Sequence, residues 1–164
     1  MDLSYIYYSL PIGEKFNDVK LKDGYHCVLF IPKIIRLNLV SKFNLIYLFR
    51  YILTLGKYRI YYVFDNVNSI VHYSVIMPKF YKYKFINRRE SFLIGPCWTH
   101  KKHRGLGIYP SVLGNICRDF QDKNLYIFTE VNNISSQKGI EKVGFKEFGR
   151  GCKTKFLGIY RINY

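Results

Sequence analysis

The residues best equipped for chemistry stand together in "HKKHRGLGIYPSVLGNI", positions 100–116. Lys101, Lys102, His103 and Arg104 place positive charge just ahead of two glycines, Gly105 and Gly107, and an apolar run follows. A helix N-terminus carries free backbone N–H groups and the positive end of the dipole, and glycines let backbone approach an anion closely. Charge, glycine and a helix start, in that order, describe a phosphate site. Two phosphate loops are excluded. A Walker A loop ends in Gly-Lys-Ser/Thr, which occurs nowhere in the chain. A dinucleotide fingerprint needs a third glycine, and Pro110 holds that place.

Other candidates are fewer. His100 and His103 flank the loop and suit phosphate holding better than proton transfer. Glu130 ends an apolar run, where a capping or ion-pairing role is the plain reading. His72 lies mid-hairpin and reads as a core or surface residue. Cys27, Cys97, Cys117 and Cys152 form no CxxC pair and have no nearby His at zinc-finger spacing, so no metal site is expected and the thiols are read as reduced.

The elements that must position these groups follow from pattern. "GYHCVLFI" (Gly24–Ile31) reads as a strand, and residues 1–23 as an ill-defined strand and polar loop. From Ile34 to Leu55 apolar residues recur at helical spacing, and Gly56 supplies the stop. "YRIYYVF" (Tyr58–Phe64) and "SIVHYSVIM" (Ser69–Met77), joined by "DNVN", predict a hairpin. "ESFLIGPCWT" is a strand in which Gly95-Pro96 demands a bulge or break. A helix then carries Ile108, Val112, Leu113, Ile116, Cys117 and Phe120 on one face, with Pro110 tolerated in its first turn. "LYIFTEV" is a strand, "NISSQKGIEKVGF" a short helix capped by Asn133 and ended by Gly144, and "FKEFGR" and "TKFLGIYRI" are closing strands. The order predicts an α/β fold, with one mixed, mostly antiparallel sheet flanked by helices, as a single domain over 1–164.

Composition narrows the partner. The chain has 164 residues, 49% hydrophobic and 18% aromatic, which is ample for one core and argues against disorder. A formal charge of +15 calls for an anionic partner, although abundant Lys, Ile, Tyr, Asn and Phe also fit a chain-wide bias with a solvated basic surface. The N-terminus lacks the basic region and apolar core of a secretory signal, so a cytoplasmic location is expected. "FNLIYLFRYILTL" (Phe43–Leu55) contains Arg50 and falls short of the roughly 20 apolar residues of a membrane span. It reads as a buried amphipathic helix, with a basic membrane-surface helix as the alternative.

"RGLGIY", after a strand and before a helix, resembles the coenzyme-A pyrophosphate loop of the GCN5-related N-acetyltransferases (GNAT), whose signature is Arg/Gln-x-x-Gly-x-Gly/Ala. A register starting at Lys102 supplies both glycines. One starting at Arg104 places Val112 and Leu113 at the family's apolar helix pair and is preferred, at the expense of Tyr109 in the last small-residue position. "NNISSQKGIEKVGFKEFG" resembles the family's later motif, and Asn133 and Ser136 fall where pantetheine or pyrophosphate contacts occur. The resemblance runs from about Tyr58 to Phe148. Each motif alone could be an ordinary turn or helix stop; both together, in order, are specific.

The resemblance implies transfer of an acetyl group from acetyl-CoA to an amine, with no metal. Cys97, Trp98 and Thr99 would lie along pantetheine, a backbone N–H near Trp98 or Thr99 would polarise the thioester, and Arg104, Gly105, Leu106, Gly107, Ile108 and Tyr109 would cradle the phosphates. The family's frequent acid and base positions hold Ile140 and Leu93, which leaves Tyr109 as candidate acid and Glu130 as candidate base. The two motifs look most like bacterial members that acetylate amino sugars for surface polysaccharides, so the expected acceptor is a small, anionic amine such as a nucleotide-linked amino sugar. Nucleic acid is not the expected partner, and an exposed edge strand would suit a homodimer. The competing class is a degenerate CoA- or nucleic-acid-binding module, and a protein or peptide amine is a third acceptor.

Overall fold

The computed structural model describes residues 4–32, 45–80, 82–88, 90–154 and 158–162. The elements are β1 (Ser4–Leu10), β2 (His26–Phe30), α1 (Leu45–Leu53), β3 (Arg59–Phe64), β4 (Ile70–Pro78), β5 (Ser91–Thr99), a 3-10 turn (Lys101–His103), α2 (Ile108–Asp119), β6 (Asn124–Glu130), α3 (Ile134–Val143), β7 (Lys146–Lys153) and β8 (Tyr160–Ile162). Eight strands form one sheet in the order β2-β3-β4-β5-β6-β1-β7-β8. Among the described strand pairs only β5 and β6 run parallel. The expected mixed sheet is present. Residues 34–44 of the expected helical stretch, and 155–157 of the closing segment, lie outside the described residues.

Local chemistry explains the joints. The β3–β4 turn closes because Asp65 Oδ1 accepts from the amides of Val67 (3.1 Å) and Ser69 (2.8 Å). Asn133 caps α3 by accepting from the Ser136 amide at 3.2 Å. Gly144, in the left-handed region at φ 110°, ends α3, and Asn17 covers the exposed end by bonding the Val143 and Lys142 carbonyls.

The sheet has two unlike faces. On one, α2 and α3 bury Val112, Leu113, Ile116, Ile140 and Val143 against Ile6, Tyr8, Ile94 and Ile127. The other face is aromatic, built from Tyr5, Tyr7, Tyr58, Tyr62, Tyr83, Phe85 and Tyr126. β1 alternates between them: Ile6 and Tyr8 are buried on the helix side, and Tyr5 and Tyr7 in the aromatic cluster. α1 departs from the expected buried helix. Tyr47 and Tyr51 pack on the aromatic face, whereas Phe49 (60%), Ile52 (57%) and Leu53 (54%) are exposed. None of the described helices is long and apolar enough to cross a membrane.

One irregularity opens the sheet. Pairing of β4 with β5 shifts register between Ser74 and Ile76, so Gly95 and Pro96 bulge opposite Val75. β5 and β6 pair only from Ser91–Ile94 to Asn124–Ile127. Past that point β5 stays with β4 and β6 stays with β1, leaving a gap between Cys97–Thr99 and the end of β6.

Candidate functional site

The phosphate-type loop sits beside that gap. Gly107 is the residue preceding α2, at φ 75° and with no side-chain cap, and the first helical bond runs from the Ser111 amide to the Gly107 carbonyl at 3.1 Å. Pro110 has no N–H to satisfy, so the amides of Ile108 and Tyr109 are the free donors of the first turn. Gly105 and Gly107 both have positive φ (77° and 75°), and an added Cβ at either would meet nothing within 4 Å. Backbone conformation therefore demands glycine there, and the space in front of it is open, as an anion cradle requires.

Arg104 is exposed and its Nε donates to the Thr99 carbonyl at 3.1 Å, which ties the guanidinium across the end of β5. His103 Nδ1 pairs with the Tyr25 hydroxyl at 2.9 Å, and the His100 and His103 rings meet edge to face at 5.5 Å. Val112 and Leu113 are fully buried, and Pro110 and Ser111 are buried as well, so burial does not separate the Arg104 register from the Lys102 register.

A groove of about 430 Å³ joins this loop to the gap between strands. Cys97, Trp98, Thr99, Arg104, Gly105, Gly107, Ile108, Tyr109, Asn133 and Ser136 line it. Leu106 does not; its side chain packs against the α2 side of the core. Glu130 does not either. It is exposed, pairs across β1 with Tyr5, and shares Tyr5's aromatic face of the sheet, where it makes no ion pair among the described residues. The His100 amide donates to the Val71 carbonyl at 2.8 Å, so strand alternation aims the Trp98 amide at β4 and the Cys97 and Thr99 amides into the gap. Trp98 itself stacks on Tyr73 at 5.8 Å on the aromatic face.

Burial sets the protonation states below the groove. Tyr109 keeps its proton: burial lifts the phenol well above 10, and the nearby Cys97 and Tyr8 ionisations add to the lift. Cys97 is raised to about 11 by burial, against weaker opposing hydrogen bonds, and is no thiolate nucleophile. His72, fully buried, bonds Thr99 Oγ1 through Nδ1 and Ser74 Oγ through Nε2, both at 2.8 Å, and burial lowers it to about 4. That neutral ring braces the part of β5 beyond the bulge. Leu93 and Ile140 are core residues at 1% and 0% exposure, so the usual acid and base positions are apolar in space as well as in sequence.

Sequence reasoning did not single out Ser135, Lys138, Gly139 or Lys142, all of which line the groove. Lys138 and Lys142, one turn apart on α3, both face the groove, and their i,i+4 spacing after Asn133 was the available signal. Gly139 between them meets the Tyr109 ring. A second hollow of about 480 Å³ lies at the far end of α2, between Phe16 and Phe120, and has neither a positive-φ loop at a helix start nor a strand gap. No group of three or more metal-binding side chains occurs among the described residues.

No known family profile matches this sequence, and no curated protein does. Solved structures do. A GCN5-related N-acetyltransferase from Sphaerobacter thermophilus superposes with a TM-score of 0.62 at 10% identity, over 91% of this chain and 50% of that one. A tandem GNAT protein of the clavulanic acid biosynthesis pathway gives 0.57 at 15% identity, over 91% and 51%. A GCN5-related N-acetyltransferase-like protein from Streptococcus suis gives 0.56 at 16%, over 91% and 61%. The chain thus spans about half to three fifths of the length of these proteins. The strand gap, the glycine-opened helix start and these superpositions agree: the chain has the GNAT acyl-CoA N-acyltransferase fold.

Proposed function

We propose that the chain transfers an acetyl group from acetyl-CoA directly to the amine of a small anionic acceptor, a nucleotide-linked amino sugar. The observation that carries this reading is one groove shared by the open N-terminus of α2 and the unpaired edge of β5. The residues fit the donor: free amides and positive-φ glycines for the pyrophosphate, Lys138, Lys142 and Arg104 for its charge, and strand-edge amides for pantetheine. When bound, the thioester supplies an acyl carbon already open to attack by a neutral amine.

The chain's own groups would do the rest. The Cys97 or Thr99 amide stabilises negative charge developing on the carbonyl oxygen. Glu130, outside the groove at the end of β6 and on the opposite face, would take the proton that the amine must lose. Tyr109, protonated at neutral pH and lying beside Cys97, gives a proton to the sulfur as the carbon–sulfur bond breaks. A second reading, CoA binding without transfer, is favoured by the apolar Leu93 and Ile140. The two separate in an assay of free thiol release with UDP-linked amino sugars. Transfer requires thiol in proportion to acceptor, with kcat cut at least tenfold in Glu130→Gln and Tyr109→Phe. Acetyl-CoA binding with no acceptor-dependent thiol would leave only the binding module.

A further inference from the structure

The aromatic face, on the far side of the sheet from the groove, holds three cations without carboxylate partners. Arg50 comes from α1, Lys82 from the β4–β5 connection and Lys153 from the end of β7. None of the three forms an ion pair among the described residues. They converge on one feature. Tyr83 and Tyr160 stack with centroids 5.4 Å apart, held by backbone bonds from the Lys84 amide to the Tyr160 carbonyl (3.2 Å) and from the Tyr160 amide to the Lys82 carbonyl (2.9 Å). Lys82 Nζ lies 5.1 Å from the Tyr83 ring centre and Lys153 Nζ lies 5.5 Å from that of Tyr160.

The third cation closes the cluster. Arg50 acts on the phenols of both Tyr58 and Tyr83, and it stands beside the buried Tyr58 Oη, which meets no other hydrogen-bond partner among the described residues. Lys82 is pushed below its ordinary value by burial first, then by Arg50 and Lys153. Like charges held together, two of them half-buried (Arg50 and Lys82) and one exposed (Lys153), are unfavourable alone and become favourable around an anion.

Position ties this cluster to the reaction. Across the sheet Glu130 pairs with Tyr5, and Tyr5 with Gly151; two residues on, Lys153 pairs with Tyr160. Alternation keeps Glu130, Tyr5, Lys153 and Tyr160 on one face, at the end where β5 and β6 part. Glu130 and Lys153 both lie near enough to Tyr5 to act on its phenol, in opposite senses, so the candidate base and the cations share one neighbourhood.

We propose that Arg50, Lys82 and Lys153 bind the diphosphate of the acceptor, presenting its amine toward Glu130 from the face opposite acetyl-CoA. This rests on the transfer reading above and names what makes the acceptor recognisable: a nucleoside diphosphate handle. Three convergent cations suit two adjoining phosphates, and the half-buried ring of Tyr160, seated on buried Tyr83, suits a base or sugar stacked nearby.

The test uses UDP as probe in calorimetric titration of the full chain saturated with acetyl-CoA, which closes the first phosphate site. One UDP site is expected, weakened at least tenfold in Lys82→Glu/Lys153→Glu, while acetyl-CoA affinity stays within twofold. Arg50→Gln, a milder change should the double variant not fold, is expected to weaken UDP three- to tenfold. Equal UDP affinity in these variants, or displacement of UDP by acetyl-CoA, would overturn the site. The two readings fail separately. Acetyl-CoA binding without UDP binding removes this site alone, whereas UDP binding lost in the variants, without any acetyl-CoA binding, removes the donor reading alone.

Discussion

The ring of Tyr109 occupies the space beside Gly139, so that a Cβ on Gly139 would stand 2.9 Å from Tyr109 Cδ1 and 3.3 Å from Cε1. A large residue on α2 is thereby matched by the smallest one on α3. Tyr109 has little room to yield, since its ring also faces His72 at 6.0 Å.

That pairing makes the effect of Gly139→Ala depend on its partner. Alanine gains about 1 kcal/mol over glycine inside a helix, and overpacking costs about 1–3 kcal/mol. Gly139→Ala is expected to be neutral or destabilising in the natural chain and stabilising in a Tyr109→Ala background. Urea unfolding of the four proteins measures it. The same sign and size in both backgrounds would refute the contact.

His72 dictates a stability change with acid. Its folded value, about 4, lies below the ordinary 6.5, so between those limits the unfolded chain binds a proton that the folded chain refuses. Stability contributed by the neutral ring is therefore present above pH 6.5 and is lost as pH falls toward 4, by about 3 kcal/mol. His72→Gln, which keeps one of the two hydroxyl bonds, is expected to lose less over the same window. Parallel curves for the two proteins would show that His72 is not buried neutral.

Lys138 and Lys142 are expected to act on CoA through charge. Removing both as alanines should weaken acetyl-CoA about tenfold at low salt, because each exposed charge contact is worth up to about 1 kcal/mol. The loss should shrink as ionic strength rises. Titrations at two salt concentrations measure both effects; a salt-independent loss would mean the lysines support α3 rather than the ligand.

Much of this was legible in local pattern. The β3–β4 hairpin, the glycine-opened start of α2 and the Asn133 cap each depend on residues within a few positions of one another. The place of β1 was not. Tyr5 pairs with both Glu130 and Gly151, contacts far along the chain that no window of sequence contains. Glu130 illustrates the same limit, since its strand was clear but its face of the sheet depended on that nonlocal pairing. Gly139 was visible only as a weak point in a helix, and its reason, Tyr109, lies on another element. α1 misled because apolar periodicity implies burial, and Phe49, Ile52 and Leu53 face outward.

The central claim is that Gly107 opens the first turn of α2 to the pyrophosphate of acetyl-CoA. Calorimetric titration with acetyl-CoA, natural chain against Gly107→Glu, tests it most directly. The substitution forces a side chain into positive φ at a cost of about 1–2 kcal/mol and sets a carboxylate in the cradle, so circular dichroism must first show the variant folded. Saturable one-site binding in the natural chain, weakened at least a hundredfold in the variant, is the expected result. Equal affinity in a folded variant, or no binding by the natural chain at millimolar acetyl-CoA, would contradict it.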